Sequence, residues 1–222
     1  GKLIEMPAKG RGQWGMGSDA YGRLYFNSNS KWFEVDWATY DRQWPSKGST
    51  VNPPTNRVLG IRPNTALNLI YRPGLILEDG RVASVTTISG LAVHSHGAYG
   101  KKWEGAIFSM SPGTNTVGAF LPEKPFPQSD NYVHQLYPDA IWKEREFLAS
   151  TDERFRPVNA SIGPDGCLYV FDLNRGVIPH KRYLTSYLRR QSAETQLDKH
   201  IGLGRIYRIV PENHKTVAPP TD

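Results

Sequence analysis

Between Glu146 and Arg182 the chain places Asp152, Arg156, Asn159, Asp172, Arg175 and His180, which are two carboxylates, two guanidinium groups, an amide and an imidazole in one short stretch. Such a set has several chemical uses. Arg grips carboxylates bidentately, Asp and Asn oxygens ligate hard cations, and His takes up or delivers a proton near neutral pH. The same residues also suit a structural use, an Arg–Asp pair that locks neighbouring elements together. A second group, His94 and His96, forms an HxH. On a strand both rings face one side and offer two metal ligands. With no third ligand evident, histidines with structural or surface roles are the competing reading.

A hairpin must bring the first set together. Val158, Ala160 and Ile162 alternate with polar or small residues as a half-buried strand does, Gly163-Pro164-Asp165-Gly166 supplies turn chemistry, and Leu168–Phe171 is an apolar return strand. Antiparallel pairing sets Asp152, Arg156 and Asn159 at the same edge as Asp172 and Arg175. The unit recurs. Gln13–Ser18, the turn Asp19–Gly22 and Arg23–Asn27 repeat the order, and Gly90–His94 followed by Glu104–Ser109 is a looser copy. The copies start about 70 residues apart, against roughly 40 to 50 residues for common propeller blades, which implies long insertions.

The chain of 222 residues, with 17 Pro, 21 Gly and 11% aromatic residues, fits one turn-rich all-β domain and excludes a disordered chain. Its net charge of +6 is dispersed, with Arg189-Arg190 the only adjacent Arg pair. Neither a recognition-helix pattern nor an RNA-binding sheet motif accompanies it, so nucleic acid is not an expected partner. No stretch is long enough to span a bilayer as a helix. The single Cys167 excludes an internal disulfide and reads as a buried, inert thiol; there is no CxxCH for covalent haem. Gly1-Lys2-Leu3-Ile4-Glu5 reads like the last strand of a preceding unit, so the chain is expected to be a fragment or processed piece.

Along the chain, Trp32–Trp37 suits either a strand or a helical turn, and residues 41–65 read as a long surface excursion. Thr114–Phe120 is expected as an outer strand and Pro122–Pro138 as a second excursion. Asp139–Ala149 is expected as an α-helix or helical turn, Tyr183–Leu197 is a second helix candidate, and Gly202–Val210 is the final strand. Trp32, Trp37 and Trp44 suit either stacking on sugar rings or packing under a long loop. Asn159-Ala160-Ser161 is a glycosylation sequon by chance, inside a strand.

The string EFLASTDERFRPVNASIGPDGCLYVFDLNRGVIPHKRY…GLGRIYRIV resembles the C-terminal signature of a family of bacterial propeller proteins designated membrane-bound dehydrogenases, relatives of soluble glucose and sorbosone dehydrogenases. GQWGMGSDAYGRLYFNSNS and YRPG…DGRVASVTTISGLAVHSHGAYGKKWEGAIFSM resemble earlier segments of that family in the same order. The resemblance implies about three blades of a roughly six-bladed ring, with residues 1–210 the C-terminal portion of the propeller and 211–222 a tail. It further implies long irregular insertions, one or two short helices, and another chain or an N-terminal half that closes the ring.

The resemblance also implies an activity, a sugar or alcohol dehydrogenase using pyrroloquinoline quinone and Ca²⁺ and passing electrons to a cytochrome c, in the periplasm or outside the cell, with a partner as the route to any membrane association. In such a mechanism His180 and Asp152 are the catalytic candidates. Arg156, Arg175 and Asn159 are the cofactor-binding candidates and Asp172 the metal ligand. Two other readings stay open: a non-catalytic propeller acting as an interaction or scaffold subunit, and a Ca²⁺-dependent lactonase-like hydrolase using Asp152, Asn159 and Asp172. Convergence of Arg156, Arg175 and His180 on an open channel favours the enzyme; their burial between blades favours the scaffold.

Overall fold

The computed structural model describes residues 14–36, 50–63, 76–95, 97–126, 128–129, 131–178, 184 and 186–214. Its strands form antiparallel meanders, so the all-β class expected from the sequence is the class observed. In the first sheet, β1 (Met16–Ser18), β2 (Leu24–Ser28), β3 (Lys31–Asp36) and β4 (Thr50–Val51) follow one another in chain order. The Trp32–Trp37 ambiguity thus resolves as a strand as far as Asp36. The second sheet pairs β5 (Leu91–His94) with β6 (Ala106–Ser111), β6 with β7 (Thr116–Pro122), and β7 with both β8 (Tyr132–Gln135) and β11 (Leu148–Ala149). A short ribbon joins β9 (Tyr137–Asp139) to β10 (Lys143–Arg145). The third sheet is β12 (Pro157–Ile162), β13 (Leu168–Asp172) and β14 (Arg205–Ile209).

These sheets form an open stack with the second in the middle. Its two faces are read directly from the alternation along β6 and β7. Ile107 and Phe120 point to one core, where Tyr25, Trp32, Phe33 and Val35 of the first sheet meet Val58, Val85, Ile88 and Tyr132. Phe108, Met110, Val117, Ala119 and Leu121 point to the other, against Ala160, Leu168 and Val170 of the third sheet. Every residue of β6 is buried as a result. Each such large side chain contributes about 1.5–3 kcal/mol on burial, so the middle sheet holds the stack together.

Three expectations are corrected. Thr116–Pro122 is an inner strand, because its small residues leave room for the neighbouring sheet. The segment after Pro122 contains β8 rather than only irregular chain. Asp139–Ala149 is the end of β9, a turn, β10 and β11 instead of a helix. There Asp139 Oδ1 accepts the N–H of Ile141 and Trp142 at 2.9 and 2.8 Å, as a helix N-cap would, but Lys143 turns to φ 66° and the chain reverses into β10. The later helix is observed as α1 (Ser186–Thr195). Among the described residues, no helix is long and apolar enough to cross a membrane.

Candidate functional site

The open end of the β12–β13 hairpin gathers the expected charges. Pro157 lies opposite Asp172, and a bulge between Pro157 and Asn159 adjusts the register. Arg156, immediately before β12, donates its main-chain N–H to Asp172 Oδ1 at 2.7 Å and accepts the Leu173 N–H at 2.9 Å. Its guanidinium runs inward. Nε donates to the Arg175 carbonyl at 2.9 Å, Nη1 to the Pro112 carbonyl at 2.7 Å and Nη2 to the Gly176 carbonyl at 2.7 Å. Pro112 belongs to the β6–β7 turn of the middle sheet, so this one side chain ties the third sheet to the second. Burial, with the Arg62 charge nearby, lowers Arg156 to about 10, which leaves it a cation at neutral pH.

Asp172 is equally engaged. Its Oδ1 also accepts the Asn174 N–H at 2.7 Å, Oδ2 takes the Asn174 amide at 3.4 Å, and the residue is 3% exposed. Asn174 adopts φ 47°, a left-handed conformation that Asn tolerates. Arg175 contributes its carbonyl while the residue itself is exposed. Asp152 is exposed, its Oδ1 accepting the Arg154 N–H at 2.9 Å and its carbonyl the Phe155 N–H at 3.1 Å in a local turn. Asn159 is exposed on β12 beside Gly90, with Oδ1 2.9 Å from the Ala160 nitrogen. The structure therefore joins Arg156, Asp172 and the Arg175 main chain, and leaves Asp152 and Asn159 outside their hydrogen bonds. His180 lies outside the described residues, as do His96, Trp37 and Trp44.

Several participants were not singled out in the sequence. Asn115, at φ 59° in the β6–β7 turn, accepts Arg62 Nη1 at 3.1 Å and donates to the Phe155 carbonyl at 2.6 Å. Arg62 also pairs with Glu153. Burial lowers the Arg62 pKa, against the opposing charges of Glu153 and Asp152. The only local signal for Asn115 was an Asn inside a Pro-Gly turn, and Arg62 comes from the segment read as a surface excursion. That segment also buries Leu59, whose N–H donates to Glu146 Oε1 at 2.9 Å, while His134 Nε2 lies 2.7 Å from Oε2. Burial pushes the Glu146 carboxyl up, with the His134 hydrogen bond opposing it.

Other candidates are placed plainly. Trp32 is wholly buried between Phe120 and His134 and donates to the Arg57 carbonyl, so it packs in the core and presents no face to a sugar. His94 is wholly buried with Nδ1 2.9 Å from the Trp103 carbonyl. Cys167 is buried, as its place in the return strand suggested.

An anionic quinone needs cationic donors aimed into an accessible space, and Ca²⁺ needs about six to eight converging oxygen ligands. Arg156 is a cation but does not face an accessible space, since it is buried and all three guanidinium nitrogens donate to main-chain carbonyls. Asp172 is surrounded by N–H groups. Arg156 and Asp172 thus do not fit that cofactor and metal in this arrangement.

Residues 1–213 match the family described as "Domain of unknown function (DUF7133)". No curated protein matches the chain. Among solved structures, the soluble aldose sugar dehydrogenase (Asd) from Escherichia coli in the apo-form is similar with a TM-score of 0.34 and 16% identity, over 72% of this chain and 41% of that one. A glucose dehydrogenase is similar with a TM-score of 0.33 and 15% identity, over 71% of this chain and 40% of that one. The chain spans less than half the length of either.

Proposed function

The chain belongs to the family described as "Domain of unknown function (DUF7133)", and from that premise we propose that it supplies framework sheets of a larger, dehydrogenase-like propeller. The observation that carries this reading is the Arg156 guanidinium, buried between two sheets and bound to the carbonyls of Pro112, Arg175 and Gly176. A side chain so placed fixes the angle between neighbouring sheets. The stacking of three meanders in chain order supports the propeller, because successive blades follow that order.

In this reading the remaining blades complete the ring. Both ends of the stack offer apolar residues for them, Trp14 and Met16 at the first sheet and Ile201 and Ile206 at the third. Quinone and Ca²⁺ binding, transfer of electrons to a cytochrome c and an exported setting are properties of that assembly, with the cofactor groups on the rest of the ring.

The test is Arg156→Ala in the full chain, read by thermal melting and by titration with pyrroloquinoline quinone and Ca²⁺, with dye reduction in the presence of sugars. Three carbonyls, two of them buried, lose their donor, so a loss on the order of 3 kcal/mol is expected, with the quinone titration unchanged from wild type. A variant that keeps its melting temperature but loses quinone-dependent dye reduction would make Arg156 a cofactor ligand and overturn the framework reading.

A further inference from the structure

At the opposite end of the same hairpin, three side chains converge that neither the Arg156 joint nor the framework reading uses. We propose that Asp165, Cys167 and His214 form a binding site for one thiophilic divalent cation, with Zn²⁺ the ion that fits. A carboxylate oxygen of Asp165, the Cys167 sulfur and an imidazole nitrogen of His214 all lie within 4.8 Å of one another.

The fold brings them together for definite reasons. Asp165 and Cys167 flank Gly166 in the β12–β13 turn, where Gly166 at φ +75° packs directly on Gly97. Antiparallel pairing of Leu168 with Ile209 carries the end of β14 back to that turn. The His214 N–H then donates to the Pro211 carbonyl at 3.0 Å, turning the chain so that the imidazole returns to the hairpin.

The second observation is the state of the imidazole. Among the described residues His214 Nε2 is buried with no hydrogen-bond partner, a condition that costs about 1–3 kcal/mol and that a metal ion removes. Cys167 is wholly buried. Around the ligands stands a supporting shell: Asp165 Oδ1 accepts the Cys167 N–H at 3.1 Å, and Oδ2 accepts Arg208 Nε at 2.6 Å and the Tyr169 hydroxyl at 3.2 Å.

One sulfur, one imidazole nitrogen and one carboxylate oxygen suit Zn²⁺ and leave one tetrahedral position for water; a single oxygen ligand is too few for Ca²⁺ or Mg²⁺. On binding, the S–H bond of Cys167 breaks, its proton passes to solvent and the thiolate bonds the metal, so affinity rises with pH. The bound ion pins the segment after β14 to the hairpin turn.

Cobalt provides the test. Cys167 is the only cysteine among the 222 residues, so a thiolate-to-cobalt charge-transfer band reports on that residue alone. The full chain, freed of metal by a chelator, is titrated with Co²⁺ and then Zn²⁺. A band saturating at one equivalent, with the visible bands of tetrahedral cobalt and displacement by Zn²⁺, is expected. Cys167→Ser should abolish it, and His214→Gln should weaken binding by more than about tenfold, the scale on which even outer-shell changes act. His214→Gln should melt like the metal-free wild type, which separates lost binding from lost folding and keeps the test valid if Cys167→Ser does not fold. No band at saturating cobalt, or equal affinity in His214→Gln, overturns the proposal.

Discussion

Asp19 and Asp165 hold equivalent places in two hairpin turns, and each does the same work. Asp19 Oδ1 accepts the N–H groups of Tyr21 and Arg23 at 2.8 and 3.1 Å, and Oδ2 accepts Arg23 Nε at 2.5 Å and the Tyr25 hydroxyl at 2.9 Å. Asp165 likewise takes a main-chain N–H, a Tyr hydroxyl and an Arg Nε. The repeated order of Asp, Gly, Leu and Tyr was visible in the sequence as a turn followed by a strand. That the carboxylate also captures the aromatic hydroxyl and a cation depends on where the strand twist aims those side chains. Burial alone would raise the Asp19 pKa, but the Arg23, Tyr25 and main-chain donors outweigh it and hold the group below its ordinary value of 3.8. A carboxyl lowered in the folded state adds stability that is complete above the unfolded value of about 3.9 and is lost as pH falls through the folded value. Asp19→Asn should therefore lower stability by about 3 kcal/mol at pH 7, with the gap to wild type narrowing in melts as pH falls through the lowered folded-state value. A gap that stays equal as pH falls would remove the ion pair from the account.

At the scale of elements, the inner position of β7 rests on small residues at the contact with the first sheet. A Cβ on Gly118 would stand 2.9 Å from Trp32 Cζ3, closer than atoms pack, so Trp32 crosses β7 where no side chain stands. Gly118→Ala should destabilise by about 1–3 kcal/mol through overpacking. In a Trp32→Leu background, where the ring is gone, the same change should have little effect. Urea unfolding of the four proteins in a double-mutant cycle measures this coupling, and additive losses would refute the steric account. The small-residue run in β7 was legible, but it suggests an edge strand as readily as a strand between two sheets. Asp139 misleads in the same way, since its side chain caps two N–H groups in a helical start and in the turn that actually follows. Only the left-handed Lys143 distinguishes them, and Lys carries no local preference for that conformation.

For the molecule as a whole, the apolar residues left at the ends of the stack decide how it behaves alone. Met16 is 76% exposed on β1 and Ile206 62% exposed on β14, at opposite ends of the three-sheet stack. Exposed edges of this kind favour association with further strands. The isolated chain should self-associate at high concentration, and the double variant Met16→Glu, Ile206→Lys should stay monomeric in sedimentation velocity with its melting temperature within a few degrees of wild type, since neither side chain is in a core. Continued association in the variant would place the sticky surface elsewhere.

The sequence by itself determined the local units: the β12–β13 hairpin with its Gly-Pro-Asp-Gly turn, the β1–β2 copy, α1 and the final strand, because alternation and turn chemistry act between residues near in the chain. It also brought Arg156 and Asp172 to one edge. Only the tertiary structure decided what those residues bind. The carbonyl of Pro112 reaches Arg156 from another sheet, and Leu59 reaches Glu146 across the fold. Contacts of that range depend on how whole sheets stack, and no spacing within a segment encodes them. His214 meets Asp165 and Cys167 for the same reason, since the pairing of β13 with β14 sets where the chain returns.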